Sequence, residues 1–84
     1  MLDDAEARTQ RAMEAIAAYL ARCPMAADTE EGIAQWWLPG MGVDVPQADV
    51  HEALERLLRS GALATTVLPG GGVIYRAAPL PLGP

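Results

Sequence analysis

Apolar positions along this chain change their spacing at two points, and each change marks a new kind of element. Between residues 3 and 22, Met13, Ile16, Ala17 and Leu20, continued by Cys23, recur three and four apart, while Thr9, Arg11, Glu14 and Ala18 fall elsewhere. That spacing predicts one helix with a single apolar face. Asp3, Asp4 and Glu6 suit the positive end of its dipole and Arg22 the negative end. Pro24 stops it, because the residue before a proline avoids the helical region. Asp28 or Thr29 opens a second helix, and Asp28-x-x-Glu31 has the spacing of a capping box with Asp in place of Ser or Thr. Pro39-Gly40 ends that helix by Leu38. Past Gly42 and Asp44, Pro46 fits the first turn of a third helix. Its apolar face is Val50, Ala53, Leu54, Leu57 and Leu58, and Gly61 stops it. The period then falls to two. Leu63, Thr65 and Val67 alternate with Ala64, Thr66 and Leu68, and Val73 to Arg76 forms a second β-prone run. Pro69-Gly70 between them fits the central positions of a type II turn.

The order helix, helix, helix, hairpin resembles the winged helix-turn-helix superfamily over residues 10 to 77. The features that carry the likeness are Ile33-Ala34-x-x-Trp37 on the second helix and Val50-x-x-Ala53-Leu54-x-x-Leu57-Leu58 on the third. The resemblance implies an α+β fold, a small winged helix with a three-helix core and a C-terminal two-stranded wing. Residues 1–78 would form this single domain and 79–84 a Pro-rich flexible tail. It also implies that Ile33 and Trp37 lie in the core. Helix 46–60 would be the recognition helix of a DNA-binding member, with Gln47, Ala48, Asp49, His51, Glu52, Glu55 and Arg56 facing the major groove. The connection from helix two to helix three is longer than the tight turn of a simple helix-turn-helix.

Charge changes this picture. Eleven Asp and Glu stand against six Arg, Lys is missing, and the net charge is -5. A domain that grips a polyanion spends cations on phosphates. Here Asp49, Glu52 and Glu55 line the helix that would meet them, and the hairpin tip is bare glycine with only Arg76 near its base. The DNA-facing set would be Gln47, His51, Arg56, Arg59 and Arg76, with Gln47 suited to adenine and Arg56 to guanine. A solvated acidic face is the favoured reading of this helix. Winged helices bind macromolecules far more often than they catalyse. The expected function is therefore a non-enzymatic regulatory or adaptor module working through protein–protein contacts, with a protein partner or a second copy. The alternative is a small DNA-binding transcriptional regulator, and a third reading is an accessory subunit whose partner supplies the chemistry.

The paired tryptophans indicate where a partner would bind. Trp36 is rotated about 100° from Trp37 on a helix of 3.6 residues per turn, so it turns away from the core that holds Trp37. Leu38, Met41, Val43 and Val45 fill a turn that is ordinarily polar. Either Trp36, Leu38 and Met41, extended by Tyr19 on helix one, form an apolar interface, or the turn folds back and buries these groups against helix one. Both arrangements are open at this level.

The remaining chemistry is sparse. His51, Ser60 and Cys23 are each the only residue of their type, and no nucleophile, base and orienting group can be named. Cys23 reads as a core thiol at a helix end. Asp49, His51 and Glu52 share one turn without the geometry of a zinc site. Gly40-Met41-Gly42 and Gly70-Gly71-Gly72 do not lead into helix N-termini, so both are turns and not phosphate cradles. No cofactor, metal or small-molecule substrate is expected. No segment approaches the roughly 18 apolar residues of a membrane span. With an acidic start and a single cysteine, the chain reads as cytoplasmic. At 84 residues and without Phe, the domain depends on two Trp and two Tyr for aromatic bulk. A chain of this size buries only about 60% of its unfolded surface.

Overall fold

The first helix, α1 (Asp4–Arg22), begins where Asp3 accepts a hydrogen bond from the Glu6 N–H at 2.7 Å. This is the side-chain cap that an N-terminal Asp provides. The computed structural model describes residues 3–79 and continues with β1 (Ala27–Asp28), α2 (30–40), α3 (Gln47–Arg59), β2 (Leu63–Val67) and β3 (Val73–Ala77). The fold is α+β, three helices and a three-stranded antiparallel sheet of order β1-β3-β2. Residues 80–84, most of the expected tail, lie outside the described residues.

The sheet has one strand more than the sequence pattern predicts. β1 pairs Ala27 with Arg76 and Asp28 with Tyr75, which ties the link between α1 and α2 to the hairpin. Two residues are too few to show a period, so only the partner strand defines this element. The hairpin itself follows expectation, with Leu63 opposite Ala77 and Val67 opposite Val73. The Gly71 N–H donates to the Leu68 carbonyl at 2.9 Å, closing the turn on Pro69 and Gly70.

The core joins Ala12, Ala15, Ile16 and Leu20 of α1 to Val50, Ala53, Leu54 and Leu57 of α3. Ile33, Trp37 and Leu38 of α2 and Leu63 and Tyr75 of the sheet complete it. The buried side of α3 follows expectation at four of five positions, with Leu58 only half-buried. On α1 the buried face is turned from the expected one. Thr9, Ala12 and Ala15 are inside, Met13 is half-buried, and Ala17 and Cys23 are exposed. Small residues let α1 and α3 approach closely, so the alanines take the contact. Cys23 is no core thiol. The helix ends at Arg22, and Cys23 leaves the helical path at φ -130°, ψ 74°.

Helix α2 is one continuous run in which Glu30–Gly32 and Leu38–Gly40 are α-helical and Ile33–Trp37 is a π-helical turn. Thr29 caps it, its hydroxyl accepting from the Gly32 N–H at 3.1 Å. The expected capping box is replaced by a local bond, Asp28 Oδ1 accepting from the Thr29 N–H at 2.7 Å. The Leu38 N–H reaches back five residues to Ile33. This wider turn stacks Leu38 over Ile33 and brings it into the core beside Trp37. The helix continues through Pro39 to Gly40, past the expected end. There the Val43 N–H bonds Leu38 and the Gly42 N–H bonds Pro39, with Gly42 at φ +76°. That is a Schellman closure, which favours glycine at this position.

Gly32 lies against a different group. A Cβ at this position would meet the Asp28 carboxylate, which would have to swing aside to admit it. Gly32→Ala displaces that carboxylate from the Thr29 N–H, and the lost bond, about 1 kcal/mol, should cancel the helix preference of Ala over Gly. In an Asp28→Ala background the same change should be stabilising, because Ala is about 1 kcal/mol better than Gly inside a helix. Thermal or urea denaturation of the four proteins checks this. Additive effects would show that the two residues do not compete for space.

Candidate functional site

The surface of α3 is where a nucleic-acid reader would present its side chains, and here each candidate is already bonded within the chain. Gln47 Nε2 donates to Glu30 Oε2 at 2.7 Å, and His51 Nδ1 lies 2.8 Å from Glu30 Oε1. Arg56 forks onto both carboxylate oxygens of Glu6, with Nη2 to Oε1 at 2.8 Å, and its Nε meets Glu52 at 2.9 Å. Arg59 Nη2 reaches the same Glu52 at 3.4 Å. Arg76, on β3, donates from Nε to Thr66 Oγ1 at 3.3 Å. The acidic face of α3 is thus a ladder of internal ion pairs.

Asp49 departs from expectation. It is buried, and Arg8 of α1 donates to it at 2.7 Å, so it clamps α3 onto α1 and does not face a groove. Position 49 also breaks the apolar pattern of α3. The signal that identifies its role lies 41 residues away in Arg8, beyond the reach of any local pattern.

Hydrogen bonding and charge shift the titrations accordingly. The hydrogen bond from Arg56 holds the Glu6 carboxyl down at about 2, and Gln10 adds to the effect. Arg56 likewise lowers Glu52. The hydrogen bond to Glu30, and then its charge, raise His51 above its ordinary value of 6.5. Burial raises the Tyr75 phenol, and the charges of Glu30, Glu55 and Glu31 add to the shift.

The four residues expected to form a protein interface do not make one exposed patch. Trp36 is 71% exposed on the outer side of α2, whereas Trp37 is 3% exposed. Leu38 is 1% exposed and belongs to the core, so it cannot contact a partner. The π-helical turn is the physical cause. Tyr19 is half-buried, its ring stacked on Trp37 with centroids 4.4 Å apart and planes 12° from parallel. Met41 is half-buried, with its Sδ 3.7 Å from Arg22 Nη1. Tyr19 and Met41 do meet, in a shallow cavity of about 190 Å³ lined also by Arg22, Cys23 and Gly40. Val43 and Val45 pack on the edge of the core. The connection therefore folds back for Leu38, Val43 and Val45, and leaves Trp36 outside. A second hollow of about 320 Å³ lies between the start of α2 and the hairpin, lined by Thr29, Glu30, Glu31, Gly72, Val73 and Tyr75.

Among the described residues no three His, Cys, Asp or Glu side chains are grouped to hold a metal, and no helix is long and apolar enough to cross a membrane. Comparison with known proteins finds no family model, no curated protein and no solved structure that matches the chain.

His51 gives this surface a pH signature. Its folded pKa is raised, so the contact with Glu30 contributes fully below about pH 6.5 and is lost as pH rises through the folded value. It is the only histidine in the chain. The melting temperature should therefore decline as pH rises from about 6.5 through the folded value, and His51→Gln should flatten that decline. A His51→Gln protein that keeps the full slope would assign it to another group.

Proposed function

We propose that this chain is a non-enzymatic regulatory or adaptor module on a winged-helix scaffold, acting through protein–protein contacts anchored by Trp36. The order of three helices followed by a hairpin supports the scaffold. The observation that carries the function is the exposure of Trp36, 71%, directly beside a tryptophan that the core absorbs. A large aromatic side chain left mostly in water adds little to the core of the monomer. Tryptophan is among the residues most enriched at the energetic centres of interfaces. Gln35, Pro39 and Gly40 are exposed on the same helix and leave Trp36 accessible.

Electrostatics argue for a protein partner over a nucleic acid. Arg56 and Arg59 are engaged by Glu6 and Glu52. A phosphate would have to displace these carboxylates and then approach the carboxylates so released. The -5 net charge opposes the same approach at longer range.

The test uses the whole chain as bait, with captured proteins identified and their affinity measured against the purified partner. Trp36→Ala should weaken that complex by about 30-fold or more, the equivalent of a 2 kcal/mol anchor, with an unchanged melting temperature. A Trp36→Ala protein that unfolds, or binds as tightly as the wild type, would remove this reading. Fluorescence anisotropy with duplex DNA should show only weak, unselective binding at physiological salt. Sequence-selective submicromolar binding would make the chain a DNA-binding regulator instead.

A further inference from the structure

The hollow of about 320 Å³ between the start of α2 and the hairpin holds carboxylates and one unused hydroxyl. Tyr75 lines it from β3 and is only 9% exposed. The Tyr75 hydroxyl makes no hydrogen bond among the described residues. Every fully buried side-chain N or O among them is partnered. The phenol oxygen is therefore at the accessible end of this side chain, and the hollow is the opening that Tyr75 lines. A tyrosine buried to this extent ordinarily gives its hydroxyl a partner.

Two carboxylates share the hollow, and they are not equivalent. Glu30 is spent inside the chain, on Gln47 through one oxygen and on His51 through the other. Glu31 is exposed and pairs with no cation among the described residues. After burial, the charges of Glu30, Glu55 and Glu31 are what keep the Tyr75 phenol protonated. A neutral phenol offers lone pairs to an N–H donor. The start of α2 contributes about half an elementary positive charge, which tempers the field of two carboxylates without reversing it. The hollow therefore selects a cation.

The kind of cation follows from the walls. Among the described residues no three His, Cys, Asp or Glu side chains are grouped to hold a metal, so the fit is to an organic cation. Val73, 37% exposed, supplies an apolar wall beside the carboxylates. Such a wall suits an alkyl stem carrying a charged head. The chain has no Lys of its own to fill the space. Arg8, Arg56 and Arg59 are held by other carboxylates.

We infer that the hollow receives the ammonium group of a lysine side chain from a partner protein. Tyr75 Oη and the Glu31 carboxylate accept its N–H groups, and Val73 packs against its methylene stem. Glu30 adds charge while keeping its bonds to Gln47 and His51. A compact head with three donors suits acceptors that come from separate elements, whereas a planar guanidinium suits a single carboxylate fork. The inference rests on the adaptor reading only in taking a protein as the source of the lysine. Trp36 does not line the hollow.

Titrating the whole chain with a capped, lysine-centred glycine pentapeptide, followed through amide NMR shifts, tests the site. Shifts should concentrate at residues 29–31 and 72–75. The same peptide with its lysine acetylated should leave them in place. Tyr75→Phe keeps the ring, removes only the hydroxyl, and should weaken binding about five-fold or more. Glu31→Gln should weaken it about three-fold or more at low salt. Glu14→Gln removes the same charge from the exposed side of α1 and should bind as the wild type does. Trp36→Ala should also bind the peptide unchanged, so this site and the Trp36 surface stand or fall separately. Equal binding of the acetylated peptide, shifts confined to other residues, or a folded Tyr75→Phe protein of wild-type affinity would each overturn the inference. So would a Glu14→Gln protein weakened as much as Glu31→Gln, which would reduce the effect to net charge. Butylamine hydrochloride binding more tightly than the peptide would replace the protein lysine with a free amine.

Discussion

With no phenylalanine to fill it, the core is closed by Trp37, whose ring lies flat on Tyr19 and whose neighbours Ile33 and Leu38 are fully enclosed. On an ideal α-helix residues 33 and 38 lie about 140° apart at 3.6 residues per turn, so side chains at 33, 37 and 38 would span a wide face. The five-residue turn resolves this by bringing Leu38 over Ile33. It also has a directional consequence. Rotating Trp37 and Leu38 inward leaves Trp36 outside. The exposed indole is the geometric counterpart of the buried one, and π-turns of this kind recur at functional sites.

The second organising feature is that half of the six arginines are held by carboxylates of the chain itself. Arg8, Arg56 and Arg59 each bond a carboxylate of this chain, and two of those contacts cross between α1 and α3. Solvent-screened pairs such as these contribute only modestly to stability. Their larger effect is on recognition. They occupy the guanidinium forks that would otherwise read phosphate or guanine. The surface of α3 is consequently polar and well hydrated without being positively charged.

How much of this was legible beforehand depends on the range of the signal. Helix α3 was, because Val50, Ala53, Leu54 and Leu57 repeat within one element and the core demands that face. The turn on Pro69-Gly70 was, because backbone preference there is local. Leu38 was not, since a 3.6-residue period cannot anticipate a five-residue turn. The α1 face was misplaced towards Ala17 and Cys23, because apolar spacing weighs an alanine and a methionine alike. The close approach of α3 instead selects Ala12 and Ala15. Strand β1 and the Arg8–Asp49 pair depend on residues more than forty positions apart. Gly32 did leave a trace, since a glycine in the first turns of a helix weakens it, yet its neighbour, the Asp28 carboxylate, is set by the fold of the connection. Of the expected interface, Trp36 alone was both foreseen and exposed.

The hairpin tip, in turn, sets the domain's tolerance for change. Residues 65–73 are exposed, while Leu63 and Tyr75, two steps further in, are buried in the core. Exposed loop tips are where domains accept insertions. The stretch from Pro69 to Gly72 is therefore the natural place to graft a foreign peptide.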